Sequence, residues 1–146
     1  MTDIWVLHGP NLNMLGRREP EVYGTTTLDE IDAMLVHRGQ AMGVQITCRQ
    51  SNHEGVLIDW LQEAFNSGIG GLVINPGGLT HTSVALRDAL AALPCPKIEV
   101  HLSNVWAREE FRHHSFVSPV VTGVIGGLGV ESYLLGLQAV VKLVRK

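Results

Sequence analysis

Tyr23 sits in the charged stretch Arg17-Arg18-Glu19-Pro20-Glu21-Val22-Tyr23-Gly24. A free phenol titrates near pH ~10, so only about one in a thousand is ionised at pH 7. Guanidinium charges nearby favour the phenolate and lower that value, and a phenolate at neutral pH is a base able to take a proton from carbon. On these residues alone, a solvated turn with a packing tyrosine is the simpler reading. A second grouping is Glu99-Val100-His101-Leu102-Ser103. Strand side chains two apart share a face, so a strand reaching Ser103 projects Glu99, His101 and Ser103 together. A carboxylate beside an imidazole fixes its orientation and favours its protonated form, which makes His101 a candidate general acid. A buried histidine satisfied by a glutamate fits the spacing equally well. Arg108 and Arg112, four apart, share a face of a short helix. They form either a solvated face or further positive charge for the tyrosine.

The elements that must position these groups alternate along the chain. Ile4 to Leu7 reads as a buried strand ending at His8-Gly9-Pro10. Thr27 or Asp29 caps a helix from about Leu28 to Met42, closed by Gly43. Val44 to Arg49 alternates as a strand, and a helix from about His53 to Phe65 stops at Asn66-Ser67-Gly68. Leu72 to Asn75 is a strand cut by Pro76-Gly77-Gly78. Thr80 or Thr82 then caps a helix through Leu93, terminated at Pro94-Cys95-Pro96. Lys97 to Leu102 is a fourth strand, followed by a short helix over Ala107 to His113. A strand near Val120 to Ile125 and a helix from about Val130 to Val144 complete the chain. This alternation predicts an α/β fold with a parallel sheet covered on both faces. The expected form is flavodoxin-like and doubly wound, with five strands in the order 2-1-3-4-5, the order being a prior of the fold class.

In such folds ligands bind outside the carboxyl ends of the strands. Unusual polar residues fall at four of these ends: Asn11 and Asn13; Gln50, Ser51 and Asn52; Asn75 and His81; His101, Ser103 and Asn104. Asparagines also cap turns, but four converging loops predict a site. Gly77-Gly78 matches neither a GxxxxGK[ST] nor a GxGxxG phosphate loop. His8 and His37 read as an ordinary strand-end and a helix-surface residue. His113 and His114 are adjacent and lack HExxH or clustered carboxylates, so no metal site is expected.

Composition sets the remaining bounds. The 146 residues fit one domain spanning 1–146, with 45% hydrophobic and 17% charged residues, which excludes disorder. A net charge of −3 offers no basic face for nucleic acid. Cys48 and Cys95 are isolated, as suits a reducing cytoplasm. No leader or membrane span is expected, because the run from Val117 to Val130 is broken by Pro119 and four glycines.

Longer motifs carry a resemblance. Gly9-Pro10-Asn11-Leu12-Asn13 with Leu15 to Pro20 and Tyr23-Gly24, then Asn75 to Ser83, then Glu99 to Val105 and Arg108 to Ser115, and finally Gly123-Val124-Ile125 with Gly127-Leu128-Gly129 together resemble the type II 3-dehydroquinate dehydratases over nearly the whole chain. Met14 and Trp106 depart from that pattern; Trp106 lies near the site. The resemblance implies dehydration of 3-dehydroquinate to 3-dehydroshikimate by anti elimination through an enolate, without metal or organic cofactor. The step belongs to the shikimate pathway of aromatic amino acid biosynthesis, and quinate catabolism uses it too. Tyr23 matches the family's base and Arg18 the lid arginine that activates it, with Arg108 assisting electrostatically. His101 matches the acid that protonates the departing hydroxyl, oriented by Glu99, and Asn11 the residue holding the enolate-stabilising water. Asn75, Leu102 and Ser103 match the substrate-carboxylate pocket, and His81 and Arg112 contacts to the ring hydroxyls. Asp88 matches an aspartate that reaches a neighbouring subunit's site, in trimers that build a homododecamer. Without the resemblance, Asp88 beside Arg87 reads as a helix-surface ion pair.

Lowering a phenol from about 10 to 7–8 takes roughly 3–4 kcal/mol of preferential anion stabilisation, which one or two close arginines in a partly dry site can supply. Gly16 and Gly24 bracket a loop suited to closing over a substrate. The Schiff-base route of the unrelated type I enzymes needs a buried lysine, and Lys97, Lys142 and Lys146 are poorly placed for it. Two rivals remain at this stage. A non-catalytic flavodoxin-like module binding a small anion gives no reason for Tyr23 and His101 together, and the other is a different cofactor-free lyase.

Overall fold

The computed structural model describes the backbone of residues 1–146 and every side chain except that of Tyr23. Five parallel strands form one sheet in the order 2-1-3-4-5, as expected. They are β1 (Asp3–His8), β2 (Gln45–Gln50), β3 (Gly71–Asn75), β4 (Lys97–His101) and β5 (Gly123–Gly126). The helices are α1 (Pro20–Tyr23), α2 (Leu28–Ala41), α3 (Glu54–Ser67), α4 (Val84–Ala92) and α5 (Val130–Val144).

Strand periodicity splits the core in two. Ile4, Val6, Val73, Ile98 and Val100 face α2 and α5, where Ile31, Leu35, Leu137 and Val140 meet them. Trp5, Leu7, Leu72 and Ile74 face α3 and α4, against Leu57, Leu61, Leu86 and Leu90. Each fully buried Leu or Ile contributes roughly 1.5–3 kcal/mol, so both faces fix the strand register. A residue at a strand's carboxyl end therefore has a predetermined face.

Local chemistry accounts for the element ends. Thr27 caps α2: its Oγ1 accepts from the Glu30 N–H at 3.2 Å, and the Glu30 carboxylate accepts from the Thr27 N–H at 3.4 Å. The helix closes before Gly43, which takes φ +74. Helix α4 departs from expectation. Neither Thr80 nor Thr82 caps it; the cap is Ser83, whose Oγ accepts from the Leu86 N–H at 2.9 Å. Residues Gly77–His81 form a separate 3-10 turn, which frees Thr80 for a buried role described below. The helix expected over Ala107 to His113 is instead two 3-10 turns, Val105–Ala107 and Glu110–His113, with Arg108 extended between them. The last strand starts later than expected, because Ser118–Val120 is also a 3-10 turn.

Gly9 brings the carboxyl ends of β1 and β3 together. Its N–H donates to the Asn75 carbonyl at 2.7 Å, and a Cβ at this position would lie 2.5 Å from the Pro76 carbonyl oxygen. Any larger residue would push the two loops apart.

Candidate active site

At the carboxyl edge of the sheet, a cavity of about 130 Å³ is lined by Asn11, Arg18, Asn75, His81, His101, Leu102, Ser103, Arg108 and Arg112. Nine of the twelve residues singled out from sequence thus converge on one space. A second cavity of about 350 Å³ shares His81, His101, Ser103 and Arg112 with it, and reaches Glu99 and Trp106. The exposed Trp106 indole packs on His113, with ring centroids 5.2 Å apart.

Glu99 and His101 end β4 on the face toward α3 and α4. Their spacing does what was expected: His101 Nε2 lies 2.5 Å from Glu99 Oε2. The Glu99 side chain is buried and that of His101 is 12% exposed, toward the cavity. Thr80 Oγ1 donates to the same Glu99 oxygen at 2.6 Å, and Ser118 Oγ donates to Oε1 at 2.6 Å. Because the Thr80 hydrogen is committed to Glu99, Ser115 Oγ donates to the Thr80 oxygen at 2.7 Å. Burial opposes the Glu99 charge, but hydrogen bonding and charge from His101, with the two hydroxyls, hold its carboxyl below the usual range.

The strand does not continue to Ser103. It ends at His101, and Ser103 reaches the cavity from the following bend, where its hydroxyl accepts from Arg108 Nη1 at 3.2 Å. Arg108 and Arg112 likewise share no helical face, yet both line the cavity. Glu109 holds Arg112 Nε at 3.2 Å from its carboxylate. His81 Nδ1 donates to the His114 carbonyl at 2.8 Å, which leaves Nε2 as the acceptor. Burial first, with the charges of His101 and Arg112, outweighs that hydrogen bond and lowers the His81 pKa, favouring neutral imidazole.

Asn11 adopts φ +72, a left-handed geometry that asparagine tolerates. Its N–H donates to Asn52 Oδ1 at 2.9 Å, and Gln50 Nε2 donates to the Gly9 carbonyl at 3.2 Å. The loop after β2 therefore braces the loop after β1 and does not line the cavity, which corrects one of the four converging ends. Asn75, 3% exposed, accepts the Gly77 N–H on Oδ1 at 3.0 Å.

Arg18 is partly exposed and pairs with Glu19 at 3.2 Å. Glu19 itself takes φ +42 immediately before α1, a conformation that costs a non-glycine residue roughly 1–3 kcal/mol. The Tyr23 side chain, the expected base, lies outside the described residues. Asp88 is exposed on α4 and borders a separate groove with Ile58, Phe65 and Ala92. Its expected partner Arg87 donates instead to the Phe116 carbonyl at 2.9 Å.

Sequence reasoning assigned no role to Ser118, or to Ser115 at the end of its motif, and gave Thr80 no role beyond that of a possible helix cap. It also took His8 for an ordinary strand end. His8 is fully buried, with Nδ1 2.7 Å from the Tyr133 hydroxyl and Nε2 2.7 Å from Asp32 Oδ1. With Cys48, His8 and Asp32 form the one metal-capable grouping among the described residues, their donor atoms within 4.8 Å of one another. Burial first, with the Asp32 carboxylate, pushes the Cys48 thiol far up, which favours its protonated form. Lys97 is also buried, which its sequence context did not indicate. It starts β4, at the edge opposite the cavity, where its Nζ donates to the Leu93 carbonyl.

These features define a flavodoxin-like α/β protein whose site joins a carboxylate–imidazole pair to three guanidinium groups at the carboxyl edge of the sheet. Residues 2–141 match the family model described as dehydroquinase class II. The chain is 56% identical over 143 residues to the 3-dehydroquinate dehydratase of Gloeothece citriformis, covering 98% of this chain and 93% of that protein. It is 62% identical over 135 residues to that of Roseiflexus castenholzii, covering 92% and 85%. The solved structure of the type II dehydroquinase from Propionibacterium acnes superposes with a TM-score of 0.94 at 46% identity, covering 97% of each chain. The chain belongs to the class II dehydroquinase family.

Proposed function

We propose that residues 1–146 act as one catalytic domain, a lyase that dehydrates 3-dehydroquinate to 3-dehydroshikimate by anti elimination through an enolate. The observation that carries this reading is the Glu99–His101 pair opening into a cavity that also presents Asn75, His81, Arg108 and Arg112, in a chain of this family. The Tyr23 phenolate takes the proton from the carbon beside the ketone, and that electron pair forms the enolate, stabilised by a water held at Asn11. Arg18 and Arg108 keep the phenolate accessible at neutral pH. As the enolate collapses, the carbon–oxygen bond to the ring hydroxyl breaks and His101 donates a proton to the departing oxygen, releasing water and leaving the conjugated enone. Nε2 of His101 is occupied by Glu99, so the proton delivered is the one on Nδ1. Asn75, Leu102 and Ser103 hold the substrate carboxylate, while His81 and Arg112 hold the ring hydroxyls.

Asp88 is exposed and remote from its own chain's cavity, which supports a role in a neighbouring subunit's site within trimers of a homododecamer. A cytoplasmic place in the shikimate pathway, or in quinate catabolism, accords with this chemistry. Among the described residues, no helix is long and apolar enough to cross a membrane.

The test is the absorbance of the enone formed from 3-dehydroquinate; complete inactivity of folded, assembled protein would sink the reaction. Tyr23→Phe should reduce kcat by more than about 10³-fold with substrate affinity within about tenfold. Arg18→Ala should move the basic pKa of the kcat/KM profile upward, and an unchanged profile would remove its assigned role.

A further inference from the structure

Residues 114–118 lead from the 3-10 turn Glu110–His113 into the turn Ser118–Val120, and the reaction proposed above gives them no role. They nevertheless reach both imidazoles that line the cavity. We propose that Ser115 is a positioning residue, the hub of a segment that orients His101 through Glu99 and His81 through the His114 carbonyl. The reaction those imidazoles serve is the one proposed above, and the kinetic test rests on that reading.

A hydroxyl has one hydrogen and two lone pairs, and that inventory sets the direction of every bond around Ser115. Its Oγ accepts the Val117 N–H at 3.1 Å and the Ser118 N–H at 3.0 Å. Both lone pairs are then taken, so its hydrogen goes to Thr80 Oγ1 at 2.7 Å. The other end of the chain gives the same answer. Glu99 is held ionised and can only accept, so Thr80 gives it a hydrogen at 2.6 Å and is left to accept from Ser115. Because Ser115 has no lone pair to spare, it does not compete with Glu99 for that hydrogen. The same segment supplies Ser118, whose hydroxyl donates to the second Glu99 oxygen at 2.6 Å. Both oxygens of the carboxylate that meets His101 Nε2 are therefore set from one place.

Phe116 pins the segment from two sides. Its N–H donates to the Thr80 carbonyl at 2.8 Å, and its own carbonyl accepts from Arg87 on α4 at 2.9 Å. His81 follows Thr80 in the chain, and its Nδ1 donates to the His114 carbonyl at 2.8 Å. That carbonyl belongs to the peptide unit that the Ser115 nitrogen closes, so the Ser115 backbone sets its aim. An alanine at position 115 removes, in one step, the acceptor of two backbone N–H groups and the donor to Thr80. The Phe116 bonds stay, and the segment keeps its course. Its two outputs loosen together: the hydroxyls on Glu99 and the carbonyl on His81.

¹⁵N-histidine NMR spectra of the intact enzyme test the positioning without reference to turnover, with His81 and His101 assigned from His81→Ala and His101→Ala. Ser115→Ala should shift both and leave His8, His37 and His53 in place. A shift in neither, in only one, or spread over every histidine overturns the proposal. With 3-dehydroquinate, Ser115→Ala should lower kcat about tenfold and raise KM about threefold, the range of one or two hydrogen bonds. Double variants should separate the two losses. In a Glu99→Gln background the added kcat loss should shrink below about twofold while the KM rise persists; in a His81→Ala background the KM rise should vanish while the kcat loss persists. Full additivity in both backgrounds, as from a general loss of stability, overturns the proposal. Should Ser115→Ala not fold, Thr80→Val takes its place. It cuts the Glu99 branch alone, so kcat should fall with KM within about twofold, and a loss in both or in neither counts against the hub. Should the wild-type enzyme lack dehydratase activity, the functional reading fails and the spectra alone decide.

Discussion

Two carboxylate–histidine pairs stand at the same edge of the sheet on opposite faces. Glu99 and His101 end β4 toward α3 and α4, while His8 ends β1 toward α2 and α5 and meets Asp32 on α2. Their contact geometry is nearly equal, at 2.5 and 2.7 Å. Their surroundings differ. His101 keeps one nitrogen for the cavity, whereas both nitrogens of the fully buried His8 are engaged, the second by Tyr133. The charge order also differs, because Glu99 is the buried member of its pair and Asp32 is the outer member of the other, 29% exposed. A carboxylate beside an imidazole does not by itself make an acid–base catalyst. What decides is whether the remaining nitrogen opens on reacting atoms or on another protein group.

The largest effect that would break this contrast comes from exchanging the histidines' fates. His101→Ala should lower kcat by about 10³-fold, within the range for loss of a general acid, whereas His8→Phe should leave kcat within about threefold. Steady-state kinetics on both variants checks it, and similar losses of kcat at the two sites would erase the distinction. Glu99→Gln should lower kcat by about 10–100-fold, since the amide keeps the shape but no longer fixes the His101 ring or balances its charge; the pH–rate profile should move at its His101 limb. Ser118→Ala removes one donor to a buried charge and should cost about 1.5–3 kcal/mol of stability, readable by denaturant unfolding. It should cost activity less than Glu99→Gln does.

The smallest effect concerns acid stability. The folded Glu99 carboxyl is held below its ordinary value, so its contribution is fully present above the usual carboxylate range and is lost as pH falls through the depressed folded value. Glu99→Gln should be less stable at neutral pH, and its melting temperature should fall less steeply below about pH 4. Parallel curves for the two proteins would mean that the pair does not contribute to acid unfolding.

The β4 pair was legible because a strand has a fixed period of two, so Glu99 and His101 share a face whatever packs around them. The Thr27 cap was legible for a similar reason: Glu30 stands three residues on, and a capping box is a local bond pattern. The segment from Val105 to His113 was not. Arg108 and Arg112 are spaced as on a helix, but the extended backbone of Arg108 separates two tight turns, and the same two guanidinium groups reach the cavity by another route. Thr80 was misread because a threonine near a helix start is an ordinary cap, and only the fold reveals Glu99 beneath it. His8 failed for the same reason. Its partners lie at positions 32 and 133, and nothing adjacent in the chain announces them.

The amino-acid sequence by itself determined the alternation of strands and helices, the faces on which strand residues fall, and the motifs that mark the family. These follow from backbone periodicity and local bonding, which act over a few residues. Only the tertiary structure decided which polar groups share a buried space: Ser115, Ser118 and Thr80 around Glu99, and Asp32 and Tyr133 around His8. Those contacts are made across the sheet register and between layers. They are set by packing both core faces at once, and no local pattern in the chain encodes that condition.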